Sequence, residues 1–261
     1  DDVEIIVIDD NSNENEKPLN LGSQVKVIQL SEEESKGAGR ARNVGLSYAQ
    51  GKWILFADAD DYYTENLQQF LEDYKQVEAD VIYYNANLID VRQNYYRKQK
   101  NVYSEKIIQV KDNPQLVDEI KYMFTMPWNK MVSKEFIDKY RIQFEEVIQG
   151  NDIYYSYQVG YLAQEVLFDS RCVYNYLFQD NTITNRNWNK EKCICFLHNI
   201  YKANEFKKFL GYNCWRVSPI KKLLKLLVKN YSKSISILCA FCLNYRMIKS
   251  TKDMYVKSIC R

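Results

Sequence analysis

The sequence predicts an α/β fold with a parallel sheet, and three observations support this prediction. Apolar runs typical of buried strands occur at 3–8, 25–30 and 53–57. A stretch with the apolar spacing of a helix, 39–49, lies between the second and third runs. The chain has 261 residues, of which 46% are hydrophobic, which is enough to bury a sizeable core. The order strand, connection, strand, helix, strand implies right-handed crossovers and therefore parallel strands.

The first predicted strand, at 3–8, ends in an acidic pair. Asp9 and Asp10 follow it directly, and Asn11 and Ser12 complete a polar turn. Ligands of open α/β sheets bind where the strands end. Asp9 and Asp10 are therefore candidate binding residues.

The helix predicted at 39–49 begins with a glycine-containing segment that carries two arginines. Glycines let the backbone approach a ligand closely, and the guanidinium groups of Arg40 and Arg42 can bind phosphate in a bidentate manner. The segment matches neither the dinucleotide glycine pattern nor the P-loop. Glycines at a helix entry and solvated arginines are also ordinary, so only the combination with other motifs favours an anion site.

The third predicted strand, at 53–57, runs into Asp58, Asp60 and Asp61. Like charges this close require a neutralising partner, and a divalent cation that carries a phosphate ligand is the clearest candidate. Alternatively, these aspartates cap a helix that starts near Thr64. An EF-hand calcium loop is excluded, because its sixth and twelfth positions require glycine and glutamate and this chain has tyrosine and glutamine there. Since parallel strands end at one edge, we expect both acidic clusters to lie together.

Further along the chain, a strand is predicted at 81–84 and a loop around Trp128, whereas 86–119 contains few motifs. Trp128 can either pack in the core or stack on a sugar, and the sequence does not decide between these roles. Asp152 precedes an apolar, tyrosine-rich stretch, so it is either a catalytic carboxylate or a helix cap.

These motifs occur together in one known family. The segments VIDDNS, GAGRARNVGL and WILFADADD resemble the nucleotide-binding half of the inverting GT-A glycosyltransferases of family 2, which build bacterial capsular and surface polysaccharides. Downstream, PWNK, Phe144 and Gly150-Asn151-Asp152 are similar to that family's PWNK…F…GED pattern. The segments YNY at 174–176 and TIT at 182–184 continue the resemblance, which covers roughly residues 1–185.

The resemblance implies a fold class and a set of donor contacts. The fold would be a GT-A, Rossmann-like mixed sheet flanked by helices, with a C-terminal helical extension. Asp10, with Asp9 beside it, would recognise the base or ribose of the nucleotide. Arg42, with Arg40 and Asn43 as neighbours, would hold the nucleotide and its diphosphate.

The same resemblance implies a metal cofactor, Mn²⁺ or Mg²⁺. Asp58 and Asp60 would form the family's Asp-x-Asp motif, in which Asp60 is the direct ligand, Asp58 also contacts the donor and Asp61 gives support. A hard cation bridges carboxylates and a diphosphate, and it stabilises charge on the departing nucleotide.

Asp152 would be the catalytic base of a single displacement with inversion. It would take the proton of an acceptor hydroxyl as that hydroxyl attacks the anomeric carbon. Trp128 and Asn151 are the candidate acceptor or sugar contacts, and Asn151 stands where the family usually has glutamate. The predicted partners are a nucleotide-sugar donor, with a UDP-sugar favoured, and a glycan or lipid-linked acceptor of surface polysaccharide synthesis.

The predicted domains are a nucleotide-sugar-binding half at 1–90, an acceptor-binding half with the catalytic base at 91–185 and a basic helical extension at 186–261. The family's first strand and helix have no counterpart before residue 1, so the sequence is predicted to be truncated at its N-terminus.

The C-terminal segment 216–261 is strongly basic, with eleven Lys or Arg residues against one acid. Lysines 221, 222, 225 and 229 share one face of a predicted amphipathic helix, which suits peripheral contact with an anionic membrane. The alternative is that the leucine face packs on the catalytic domain and the lysines face water. No recognised nucleic-acid-binding module accompanies the charge. We therefore expect a cytoplasmic protein that can lie on the inner face of the cell membrane.

Two other functions are compatible with part of the sequence. A phosphohydrolase of the haloacid dehalogenase type also has Asp-x-Asp after an apolar strand, but it expects Thr or Val where this chain has Tyr62. The other alternative is an inactive, truncated nucleotide-binding fragment.

Overall fold

The computed structural model describes residues 2–17, 21–91, 97–98, 101–178 and 190–212. Its strands are β1 (Ile5–Asp9), β2 (Val25–Gln29), β3 (Trp53–Ile54), β4 (Tyr62–Tyr63), β5 (Val81–Asp90), β6 (Arg97–Lys98), β7 (Lys130–Ser133) and β8 (Val166–Phe178). Its α-helices are α1 (Ala38–Tyr48), α2 (Asn66–Tyr74), α3 (Val102–Gln109), α4 (Leu116–Met123), α5 (Lys134–Tyr140), α6 (Asp152–Leu162) and α7 (Lys190–Phe209). Short 3₁₀ turns lie at Glu14–Glu16 and Pro127–Asn129.

The strands form a mixed arrangement in two sheets. Strands β1 and β2 pair in parallel as a two-stranded sheet. The larger sheet has the order β3-β7-β5-β8-β4, with β6 paired to β5. Among the described strands of this sheet, β5 and β8 pair in parallel. The other pairs, β3 with β7, β7 with β5, β6 with β5 and β4 with β8, are antiparallel.

The prediction of one parallel sheet that contains the first three apolar runs is therefore wrong. The first two runs do form a parallel pair, but the third contributes only Trp53 and Ile54, which pair antiparallel with β7. Strand β7 lies more than 70 residues further along the chain, and nothing in the local sequence specifies such a distant partner.

The core lies against the larger sheet. The first six residues of β5 are all buried, as expected for a central strand covered on both faces. Ile5 in β1, by contrast, is 50% exposed. One apolar cluster packs α3 to α6 on one side of the larger sheet, and a second packs Phe70 of α2 against β5, β7 and β8.

Local sequence signals account for several helix boundaries. The Asn101 side chain accepts a hydrogen bond from the backbone N–H of Tyr103 and so caps α3. The Ser133 hydroxyl does the same for Phe136 at the start of α5. Helix α5 ends at Tyr140, and the left-handed φ of 51° at the next residue, Arg141, closes the C-terminal turn.

Helix α7 follows β8 and packs on the domain, with Phe206 buried against Tyr122 and Tyr157. The basic segment 216–261 lies outside the described residues, so its predicted membrane contact stays a prediction. The larger sheet joins strands from both halves of the predicted domain division, and those boundaries also remain predictions. None of the helices in the described part of the chain combines the length and the apolar character needed to cross a bilayer.

Candidate active site

The start of α1 packs closely against the loop that precedes α6. Gly37 has a φ of +83°, which favours glycine, and Gly39 is buried. A Cβ atom on Gly39 would lie 2.0 Å from the carbonyl oxygen of Glu145 and 2.9 Å from the Cβ of Asn151. The absence of a side chain at Gly39 therefore brings α1 into contact with the 145–151 loop.

Arg42, one turn further along α1, joins the 58–61 loop to Asn151, the residue before Asp152. Its Nη2 lies 2.5 Å from Oδ1 of Asp58, and its Nη1 donates to Oδ1 of Asn151 at 2.7 Å. The Arg42 side chain is only 16% exposed, so this ion pair is largely shielded from water. One guanidinium thus connects the Asp-x-Asp motif to the residue beside Asp152.

The 58–61 loop is held by β8 and does not cap a helix. The Tyr174 hydroxyl accepts a hydrogen bond from the backbone N–H of Asp58 at 2.9 Å and donates one to Oδ2 of Asp61 at 2.9 Å. The backbone N–H of Leu177 donates to Oδ1 of Asp61 at 2.7 Å. Burial raises the pKa of Asp61 to about 7, although both hydrogen bonds oppose the shift. The helix-cap interpretation of these aspartates is wrong, because α2 begins only at Asn66.

The carboxylates of this loop could hold the predicted Mn²⁺ or Mg²⁺, which stays a prediction. Within the described ranges, no group of three His, Cys, Asp or Glu side chains is arranged to hold a metal. Mg²⁺ usually takes one or two carboxylates, completed by water and substrate phosphates. Asp60 is exposed, whereas Asp58 is paired with Arg42 and each oxygen of Asp61 accepts a hydrogen bond. Asp60 is thus the carboxylate best placed to serve as a ligand.

Asp152 is the first residue of α6. Asn151 occupies the N-cap position, but its side chain makes no capping bond because it accepts from Arg42. Burial raises the pKa of Asp152, the positive charges of Arg42 and Lys130 oppose this shift, and the negative charge of Asp58 adds to it. A carboxylate with a raised pKa is a better proton acceptor than an ordinary one, which is the property a general base requires.

Asp9 and Asp10 lie at the end of β1, on which α1 packs through Gly45 and Ile8. Asp9 is buried and its Oδ1 accepts from the N–H of Ser12 at 3.0 Å. Oδ2 of Asp9 and Oδ1 of Asp10 are buried without a hydrogen-bond partner in the described structure. Helix α1 therefore connects the two acidic motifs, Asp9-Asp10 and the 58–61 loop. The sequence predicts instead that both follow strands of one parallel sheet, but these strands belong to two different sheets.

Three predicted site residues have structural contacts of their own. The side chain of Asn43 exchanges two hydrogen bonds with the backbone of Phe144, at 2.8 and 3.0 Å. Arg40 pairs with Glu146 at 3.4 Å. Trp128 is buried and stacks on two tyrosines of β8, with ring centroids 5.1 and 5.3 Å away. Their roles in donor or sugar binding stay predictions.

Sequence reasoning missed several residues that support this site. In the sequence, Lys130 and Tyr174 are recognised only as members of the PWNK and YNY motifs. Nothing in the sequence indicates that this lysine is buried. On α7, Lys202 pairs with Glu145, and Asn199 donates to the carbonyl oxygen of Gln149 at 2.6 Å. Helix α7 therefore braces the loop that leads to Asp152.

Comparison with known proteins identifies the family. The model of Glycosyl transferase family 2 matches residues 1–141. The chain belongs to this family. Family 2 membership agrees with the resemblance carried by the Asp-x-Asp motif and the arginine segment, and it does not support the phosphohydrolase alternative.

Relatives and solved structures extend this result. The chain is 23% identical to EpsH of Bacillus subtilis, named a glycosyltransferase, over 92% of this chain and 75% of EpsH. It is 30% identical to the poly(ribitol-phosphate) beta-N-acetylglucosaminyltransferase TarP of Staphylococcus aureus, over 55% of this chain and 43% of TarP. The crystal structure of S. aureus TarS 1-349 with UDP-GlcNAc superposes with a TM-score of 0.59 at 19% identity, covering 91% of this chain and 71% of that one. The predicted GT-A fold is confirmed.

Proposed function

We propose that this glycosyltransferase moves a sugar from a nucleotide-diphosphate donor, with a UDP-sugar as the first candidate, to a glycan or lipid-linked acceptor with inversion. The observation that carries the proposal is the bridge made by Arg42. Its guanidinium bonds both Asp58 of the Asp-x-Asp motif and Asn151 next to Asp152. A donor phosphate group and a proton acceptor would then meet at one place.

The nucleoside end of the donor suits the end of β1. The unpartnered buried oxygens of Asp9 and Asp10 are acceptors, and the base N–H or ribose hydroxyl groups of a nucleotide are donors. Buried acceptors without partners are rare in folded proteins, so a ligand that supplies donors would relieve this cost. This observation supports the predicted nucleotide contacts.

The diphosphate end suits Arg42 and the 58–61 loop. Asp60, with Asp58 beside it, would hold Mn²⁺ or Mg²⁺. The cation would neutralise the negative charges of the diphosphate and of the carboxylates, and it would stabilise the charge on the leaving nucleotide. The chain's own part is to keep this loop in place, which it does through the two hydrogen bonds of the Tyr174 hydroxyl.

Asp152 would supply the base. An acceptor hydroxyl is a weak nucleophile at neutral pH, so a carboxylate must take its proton as its oxygen bonds to the anomeric carbon. The bond from that carbon to the diphosphate oxygen breaks on the opposite face, which gives inversion. Transfer should fall as the pH drops through the pKa of Asp152, because a protonated carboxyl cannot accept the proton.

The relatives support the substrate class. TarS was crystallised with UDP-GlcNAc, and the name of TarP describes transfer of N-acetylglucosamine to poly(ribitol-phosphate). From these relatives we infer a role in surface polysaccharide synthesis. We place this role at the inner face of the membrane, where the basic segment 216–261 would contact anionic lipid. Flotation with anionic liposomes tests this contact: the full chain should float, and a chain that ends at Asn213 should not.

The catalytic assignment is tested by measuring UDP release from a panel of UDP-sugars with manganese and glycan acceptors. Asp152→Asn should lower the transfer rate by about 10²- to 10⁴-fold, the usual contribution of a general base, with UDP affinity unchanged. Asp138→Asn is the matched control, because it removes an exposed carboxylate that pairs with Lys134 on α5. Transfer by Asp152→Asn at the level of the control would exclude Asp152 as the base.

A further inference from the structure

Lys130 is a completely buried lysine close to Asp152. Its side chain is 0% exposed, although an ammonium group normally stays in water. The Nζ donates to the carbonyl oxygen of Met126 at 2.6 Å and to the hydroxyl of Ser156 at 3.1 Å. These acceptors take two of its three N–H groups. Such burial is costly, so the residue must either be paired or lose its charge.

The contact with Ser156 places this ammonium on the face of α6 that carries Asp152. Asp152 and Ser156 are four positions apart in α6, so they are neighbours on one face of the helix, with Cβ atoms about 5–6 Å apart. The Ser156 hydroxyl also donates to the carbonyl oxygen of Thr125 at 2.6 Å. Residues 125–130 and the first two turns of α6 are therefore fastened together at the ammonium of Lys130.

The pKa shifts of Lys130 and Asp152 agree with this geometry, because each charge opposes the shift that burial causes in the other. Burial lowers the pKa of Lys130 to about 7, and the charge of Asp152 opposes the shift. Burial raises the pKa of Asp152, and Arg42 and then Lys130 oppose that shift. The other groups that interact with Asp152 are Asp58, which adds to the rise, and Tyr157 on its own helix.

We propose that Lys130 is a positioning residue for Asp152: its buried ammonium joins the 125–130 segment to the first turns of α6 and supplies a second countercharge, beside Arg42, to this carboxylate. The proposal rests on the proposed function, in which Asp152 is the base. Arg42 is the larger of the two charges that oppose the raised pKa of Asp152, and its guanidinium also bonds Asp58 and Asn151, whereas Lys130 adds a second positive charge from the 125–130 segment. Lys130 does not touch the substrates and is not a catalytic residue.

The test is the pH profile of transfer by Lys130→Met and Lys130→Gln at saturating manganese. Methionine removes the charge and the donors, whereas glutamine keeps a donor for Met126 or Ser156 and still removes the charge. Without the countercharge, the pH at which activity falls on the acid side should rise by about one unit in both variants. At pH 6 this shift lowers kcat up to about tenfold, while KM for the donor stays unchanged.

Lys121→Met is the matched control. Burial also lowers the pKa of Lys121, although this lysine is only partly buried, and its charged neighbour is Asp118 and not Asp152. An acid limb that stays at the wild-type pH in both Lys130 variants, or a loss of activity of equal size at every pH, overturns the proposal. If Lys130→Met does not fold, Lys130→Gln carries the test. Failure of the proposed function looks different: Asp152→Asn would then remain active, or the wild-type chain would transfer no sugar.

Discussion

Replacement of Gly39 by alanine tests whether the close packing of α1 on the 145–151 loop holds the site together. The new Cβ would lie 2.0 Å from the carbonyl oxygen of Glu145, whereas real Cβ contacts essentially never fall below 3.0 Å. The backbone of the loop must therefore retreat by about 1 Å, and forced shifts of this kind typically cost about 1–3 kcal/mol. Because Arg42 and Asn151 sit on the two surfaces that separate, the variant should also bind UDP more weakly.

Gly45→Ala is the matched control within the same helix. A Cβ there would lie 3.6 Å from Ile8, an ordinary contact, so the variant should gain about 0.5–1 kcal/mol from helix propensity. Urea unfolding followed by circular dichroism measures both free energies of unfolding. If Gly39→Ala is as stable as Gly45→Ala, the close packing of α1 on this loop is refuted.

Two further predictions concern stability. Tyr174→Phe should destabilise the fold by about 1–3 kcal/mol in urea unfolding, because it leaves the N–H of Asp58 and Oδ2 of Asp61 without their partner. Tyr62→Phe, which alters an exposed side chain of β4, should change stability by less than about 0.5 kcal/mol. Burial lowers the pKa of Lys130 in the folded chain to about 7 from its ordinary value of 10.5, so between these pH values the folded state binds fewer protons than the unfolded state. Stability relative to Lys130→Met should rise by up to about 1.4 kcal/mol per pH unit from pH 7 to 9, and a flat difference would contradict the burial of this charge.

Local structure was well predicted where the pattern is local. The helix predicted at 39–49 is observed as α1 at Ala38–Tyr48. Its apolar spacing and its entry glycines are local signals, so predicting it requires no knowledge of distant parts of the chain. The apolar run at 53–57 gave only the two-residue strand β3, whose length and direction depend on β7. Strand pairing across long stretches of chain is decided by the packed core, and a single sequence does not encode it in any one segment.

The residue types of the site were predicted, but its geometry was not. Arg42 and Asn151 are 109 positions apart, and no spacing rule predicts that one guanidinium bonds both Asn151 and Asp58. The sequence left Trp128 open between core and sugar contact, and its burial against two tyrosines became visible only in the fold. Lys130 shows the same limit, because the burial of a charge depends on every element packed around it.

The most direct test of the central claim, that Asp9, Asp10, Arg42 and Asp60 contribute to one donor site, is isothermal titration of UDP in the presence of manganese. We predict saturable one-to-one binding that disappears when manganese is chelated. Asp60→Asn should weaken it by about tenfold or more, a loss of at least about 1.4 kcal/mol. No measurable binding by the wild-type chain would contradict the account and favour an inactive fragment. Binding that is indifferent to both manganese and Asp60→Asn would contradict the assignment of the metal position.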